Sequence, residues 1–184
     1  MTRVTTADLD RLEFRAVQSG DHVTVALELL DLANRVAANS EVSRAELLVR
    51  AGEQWEMAQE HERASAAYQR AIDDGGPTVI DARALQAGAL FELDRVDAAY
   101  AQLERLRAEG PRNLPTVIHI TESLQAHDDL QGAHTWATLG VRRFRHQDVS
   151  PYVHDLLLEL LRARFRIRVD LGLAEDEYDR MLDG

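Results

Sequence analysis

The sequence predicts an all-α fold made of consecutive helical hairpins. Three observations carry that prediction. Ala, Leu, Arg and Glu dominate the 184 residues, and these side chains lose little entropy in a helix. Only four prolines and ten glycines interrupt the chain, and runs of alternating Val, Ile, Thr and aromatic residues are nearly absent, which disfavours sheet. Apolar side chains also recur at three- and four-residue spacing over segments of roughly 12–16 residues, the period of amphipathic helices.

Polar or glycine-containing breaks at 19–21, 38–40, 59–61, 73–77, 93–95, 109–111, 127–129 and 147–151 separate those segments. Helices are therefore predicted at 7–18, 21–38, 44–58, 61–73, 78–92, 95–108, 113–126, 129–145 and 151–170, with a short one near 174–181. Ser43 followed by Glu46 has the spacing of a capping box. Ser150-Pro151 offers an N-cap with proline at the first helical position. Gly75-Gly76-Pro77 and Gly110-Pro111 read as helix stops. Paired in order, the helices make hairpins over 7–38, 44–73, 78–108 and 113–145, a repeat domain spanning 1–148. Residues 149–184 remain as a closing helix and an acidic tail, since the last repeat of a stack needs a cap with a polar outer side. One stretch conflicts with this. Arg162-Ala-Arg-Phe-Arg-Ile-Arg-Val169 alternates charged and apolar residues as a strand would. A lone strand would have no partner in the chain, so helix is expected there too.

Composition narrows the chemistry. All 21 basic residues are arginine against 32 acidic ones, the net charge is -11, and there is no cysteine. Disulfides, thiol nucleophiles and cysteine-based zinc sites are excluded. A chain of this length buries about 70% of its unfolded surface, so it needs no staple to fold. The N-terminus lacks the apolar run of a signal peptide and no run of eighteen apolar residues occurs, so a soluble, cytoplasmic protein without membrane attachment is expected. The acid excess argues against general nucleic-acid binding.

No catalytic set emerges. Gly75-Gly76-Pro77 lacks the lysine and hydroxyl of a phosphate loop, and no Gly-x-Ser-x-Gly occurs. His22 and His61 stand at matching places before the second helices and read as turn-packing rings. His119 and Glu122 share a helix face, half of a metal site without a second half. Neither enzyme activity nor a cofactor or metal is expected.

The hairpins repeat. Gly52-x-x-Trp55, then Ala64-x-x-x-Tyr68-x-x-Ala71 and Gly76, returns as Gly88-x-x-Phe91, then Ala99-x-x-x-Leu103-x-x-Leu106 and Pro111. A weaker copy is Thr121-x-x-Leu124, then Ala133-x-x-x-Ala137-x-x-Gly140, and Val25, Leu29 and Leu32 fit the second helix of an N-terminal copy. Second-helix alanines fall at 64, 99 and 133, a period of 34–35. With these residues the chain resembles a tetratricopeptide repeat protein over about residues 6–147. Small residues allow close approach of paired helices, and the aromatics fill the gaps beside them. The resemblance implies a right-handed superhelix of hairpins, a solenoid whose first helices line an inner groove that binds other proteins.

On that register the groove would be lined by Asp10, Phe14 and Val17, then Glu46, Val49, Glu53, Glu56 and Met57, then Leu85, Ala89, Glu92 and Leu93, then Ile118, Glu122 and Gln125. Chaperone-binding members of the resembled family clamp a peptide carboxylate with lysine, arginine and asparagine there; Val49 and Glu53 stand where that clamp would begin. An acidic and apolar groove instead suits a basic or apolar peptide segment, making the chain an interaction scaffold. The charge is also uneven: -10 over 1–141, +4 over 142–168 and -5 over 169–184. The basic band, Arg142, Arg143, Arg145, Arg162, Arg164, Arg166 and Arg168, can pair internally, hold a second copy as a homodimer, or meet an anionic partner. The alternative function it suggests is a homodimeric regulatory module acting on transcription or nucleic-acid machinery.

Overall fold

A computed structural model of the chain describes residues 1–146 and 150–182. All regular structure among them is helical apart from one isolated bridge between Thr2 and Val36. The chain divides into two compact units, Met1–Glu104 and Arg105–Gly184.

The first unit holds α1 (Thr6–Ser19), α2 (His22–Arg35), α3 (Arg44–Met57), α4 (His61–Asp74), α5 (Ala82–Glu92) and the start of α6 (Val96–Glu109). Each of the first four helices packs on the next one in order, and α3 also touches α5. Thr5 caps α1 in a full capping box with Asp8, and Asp21 and Ser43 cap α2 and α3 by accepting from Thr24 and Glu46 N–H. The core runs from Val4 and Leu9 through Leu29, Leu47, Leu48 and Trp55 to Tyr68 and Leu85. Gly52 meets Tyr68 across the α3–α4 hairpin, so a Cβ there would lie 2.3 Å from the ring. Trp55 is buried, with the Arg63 guanidinium 4.8 Å over its indole.

The repeat is visible in the backbone. Gln59, Asp94 and Asp128, each between the helices of a hairpin, take left-handed φ of 61°, 58° and 59°. They stand one repeat apart in sequence, although none is glycine. Gly75 and Gly110 take the same conformation, φ 69° and 79°, between successive hairpins. A branched residue fits a left-handed position poorly, at roughly 1–2 kcal/mol. Gln59→Val is therefore expected to lower stability by about that amount, and Gln59→Gly not to lower it, in urea unfolding.

Three predicted boundaries shift for identifiable reasons. The α2 helix stops at Arg35, not 38, because Thr2 accepts from Ala37 N–H at 2.8 Å and donates to the Arg35 carbonyl at 2.7 Å, drawing Val36 into an extended conformation. The α5 helix starts at Ala82, not 78, because the Glu46 carboxylate accepts from Val79 N–H at 2.9 Å and Asp81 supplies the cap. Glu46 is thereby spent on Val79 and Arg50, so the expected Ser43–Glu46 capping box is half made: Ser43 Oγ accepts from Glu46 N–H at 2.8 Å. The third shift is the short helix near 174–181, which is a turn followed by a 3-10 turn at Asp179–Leu182.

An amide ladder joins three helices inside this unit. Gln86 of α5, buried, donates to the Ser65 carbonyl at 3.3 Å and to Gln69 of α4 at 3.0 Å, and Gln102 of α6 donates to Gln86 at 2.6 Å.

The second unit holds the end of α6, then α7 (Leu114–Ala126), α8 (Leu130–Phe144) and α9 (Pro151–Asp170). Asn113 and Asp129 cap α7 and α8. Proline opens α9 as expected, although the Ser150 side chain makes no cap bond. Residues 162–169 are helical, as expected. Leu157, Leu160 and Leu161 of α9 pack with Leu114, Val117, Ala137, Val141 and Phe144. Gly140 allows this close packing: a Cβ there would lie 2.6 Å from Val117 and 2.8 Å from Leu160.

Candidate partner-binding face

In the first unit, α3 carries an acidic constellation one turn apart along its length. Arg50 lies at its centre, with Nε donating to Glu46 at 2.7 Å and Nη1 donating to Glu53 at 3.2 Å, while Glu13 of α1 is 3.6 Å away. Three carboxylates thus share one guanidinium. Burial pushes the Glu53 carboxyl up to about 7; Arg50 opposes this and the charges of Glu46 and Glu13 add to it. Burial also raises Glu56 to about 7, with the Tyr68 hydroxyl opposing and Glu53 and Glu92 adding. Glu13 is raised by burial as well. The Tyr68 hydroxyl is fully buried beside Glu56 but makes no hydrogen bond of normal geometry, and its pKa is pushed well above the ordinary value by that burial and by the two glutamates.

The positions expected to line the groove separate into two kinds. Val49, Leu85 and Ala89 are 1%, 2% and 0% exposed, and Glu46 is buried too; all but Glu46 belong to the core of the first unit. Those three present no surface to a partner, because their side of the helix faces the neighbouring helices. Glu53 and Glu56 are half-buried, and Glu92 is exposed. Phe14, Val17 and Met57 are exposed apolar side chains. In the second unit Ile118 packs against the core and Glu122 is exposed; desolvation and Glu159 raise the Glu122 carboxyl, Arg166 opposing.

The basic band is divided as well. Arg142, Arg143, Arg162 and Arg166 are exposed. Arg164 and Arg168 are buried and paired with Asp176 and Asp179, and Arg145 lies 3.8 Å from Glu177. This internal pairing is one of the uses the charge pattern allowed. His22 Nδ1 meets Gln54 Oε1 at 2.8 Å and the buried His61 Nδ1 has no hydrogen bond, both at helix starts. His119 lies 3.4 Å from Ser123. Among the described residues no group of three or more His, Asp and Glu is placed to hold a metal ion, and no helix is long and apolar enough to cross a membrane.

Sequence reasoning missed Glu13, Arg50 and Tyr68 as parts of the acidic constellation. The i, i+3 and i, i+4 spacing of Glu46, Arg50 and Glu53 was the available signal.

No protein-family profile matches the chain, and no curated protein sequence does. Among solved structures, a tetratricopeptide repeat protein from Parabacteroides merdae is similar, with 17% identity and a TM-score of 0.51. The similarity covers 88% of this chain and 64% of that one, so the chain spans less than two thirds of its neighbour's length. The fold is tetratricopeptide-repeat-like, as the residue pattern implied.

Proposed function

We propose that the chain is a protein-interaction scaffold whose acidic face, centred on Glu53, Glu56 and Glu92, takes a basic or apolar segment of a partner protein. The observation that carries this reading is a shortage of positive charge. Arg50 is shared by Glu13, Glu46 and Glu53, and the group beside Glu56 is the uncharged Tyr68 hydroxyl. An arginine or lysine from a partner would favour the ionised forms of Glu53 and Glu56, which burial and then the neighbouring carboxylates disfavour, and the exposed Met57 offers an apolar contact nearby in sequence.

The test is binding of an arginine-rich probe peptide to the wild type and to a Glu53→Gln/Glu56→Gln/Glu92→Gln variant. The variant is expected to bind at least about tenfold more weakly, which corresponds to 1.4 kcal/mol. Equal affinities would refute the reading.

A pH dependence follows with a definite sign. A cationic ligand binds the ionised carboxylates, so affinity rises as Glu53 and Glu56 lose their protons near pH 7. Between pH 6 and 8 the gain is expected to be about tenfold for each carboxyl engaged, with proton release on binding measurable by calorimetry in buffers of different ionisation enthalpy. Affinity that is flat or falling over this range would contradict it.

A further inference from the structure

Residues 174–182 lie against α8 and α9 much as a bound peptide would. The segment follows the left-handed Gly172, φ 66°, which turns the chain back at the end of α9. Three of its side chains make the main attachment. Asp176 and Asp179 grip two arginines one turn apart on α9. Arg164 Nη1 lies 3.1 Å from Asp176 and 3.0 Å from Asp179, and its Nη2 also donates to Asp176. Arg168 lies 2.9 Å from Asp176 and 3.0 Å from Asp179, and donates to the Ala174 carbonyl. Between the two acids, Tyr178 enters the apolar cluster of Leu114, Val117, Phe144, Leu157, Leu160 and Leu161. Its ring lies 4.8 Å from the Arg164 guanidinium and 5.0 Å from that of Arg145.

Leu182, half-buried, also packs against that cluster, whereas Glu175, Glu177, Arg180 and Met181 are exposed. The turn is also closed on itself. Asp176 accepts from the N–H of Tyr178 at 3.0 Å, and Asp179 accepts from the N–H of Asp176 at 3.0 Å. On the receiving side, Thr138 of α8 accepts from Arg164 Nε at 2.9 Å, which fixes the guanidinium independently of the tail. Arg164 is 1% exposed. Burying a guanidinium stabilises less than an apolar side chain of the same volume would, while it selects strongly for a correctly placed carboxylate. A few central anchors, an aromatic among them, ringed by solvated neighbours is the arrangement of a recognition interface.

We propose that the α8–α9 face bearing Arg145, Arg164 and Arg168 is a docking site for an acidic, tyrosine-containing segment of a partner protein, of the form Asp-x-Tyr-Asp, and that the chain's own residues 174–182 occupy it as an intramolecular competitor. Charge complementarity selects this occupant: two arginines require two carboxylates at the spacing that Asp176 and Asp179 display. A short tether holds the resident segment at an effective concentration of about millimolar, so a partner of equal contact chemistry is held off until it is abundant or better fitted.

The test uses the full chain and a fluorescent peptide of residues 174–184. Asp176→Asn/Asp179→Asn empties the site by removing both charges with little change of shape. This variant is expected to keep the wild-type far-UV circular dichroism and to bind the peptide at least tenfold more tightly than the wild type does. Adding Arg164→Met is expected to abolish that binding. Three results would each overturn the proposal: equally weak binding by variant and wild type, loss of helix in the variant, or equal binding of a peptide whose two aspartates are asparagine. A wild-type dimer that the peptide splits would also overturn it, in favour of tail exchange between copies.

Discussion

Gly52→Val is expected to destabilise the chain by about 3 kcal/mol or more, lowering the urea midpoint and the Tm by roughly 6–12 °C. The ideal Cβ at this position falls 2.3 Å from Tyr68 Cε1 and 2.7 Å from both Cδ1 and Cζ, well inside van der Waals contact. Tyr68 has no room to retreat, since it is fully buried in the core that also holds Ala64, Ala67 and Ala71. A glycine inside a helix normally sacrifices about 1 kcal/mol relative to alanine. Here that loss is offset by the approach of α4 to α3. Gly52→Ala therefore combines a propensity gain with a clash and is expected to do less harm than valine. The cause is checked by a double variant. Tyr68→Leu alone leaves a void and destabilises, whereas in the Gly52→Val background it restores part of the loss. Wild-type stability in Gly52→Val would mean that the contact does not hold the hairpin together.

Arg164→Met is expected to release the C-terminal turn. It leaves Asp176 and Asp179 with Arg168 as their remaining strong partner, and removing one member of a buried ion pair costs about 3–5 kcal/mol. Because the penalty is escaped once the segment leaves the surface, it appears as lost closure of residues 174–182 and not as lost helix. Hydrogen exchange at the amides of Tyr178 and Asp179 is expected to speed up by about a hundredfold or more, with a much smaller change in the helical core. Unchanged protection of these two amides would show that the arginine does not hold the turn. The acid limit of the contact has a clear sign. Burial alone would raise Asp176, but the hydrogen bonds from Arg164 and Tyr178 N–H and the charges of Arg164 and Arg168 bring it down to about 2 from 3.8. This contribution is present above about pH 4 and is lost progressively as pH falls from there through about 2.

The helices were legible because their cause is local. Three-four periodicity and the small-then-bulky pairs at Gly52 and Trp55 or Ala64 and Tyr68 are written in consecutive residues, and the hairpins follow from them. Boundaries set by distant partners were not legible. Nothing near Val79 announces that Glu46 will accept its N–H and delay α5, and nothing near Val36 announces the pairing with Thr2. The face was half legible. Glutamates along α3 could be counted from sequence, but which of Val49, Glu53 and Glu56 turns toward a neighbouring helix depends on rotations that periodicity does not specify. The arginine pair at 164 and 168 did carry a signal, since four-residue spacing puts both on one face. Its counter-charges lie in an acid-rich segment with Leu and Ala nearby, which by composition looked like a solvated short helix.

The glutamine ladder of Gln69, Gln86 and Gln102 gives the first unit an unusual division of labour. Amides do not ionise, so the seam joining α4, α5 and α6 is indifferent to acidity and barely felt by salt. The carboxyls of Glu53 and Glu56, raised to about 7, sit on the same body. Neutralising or ionising them changes the hold on a guest while the joint that spaces the helices keeps its length, so that affinity can be retuned without remoulding the frame.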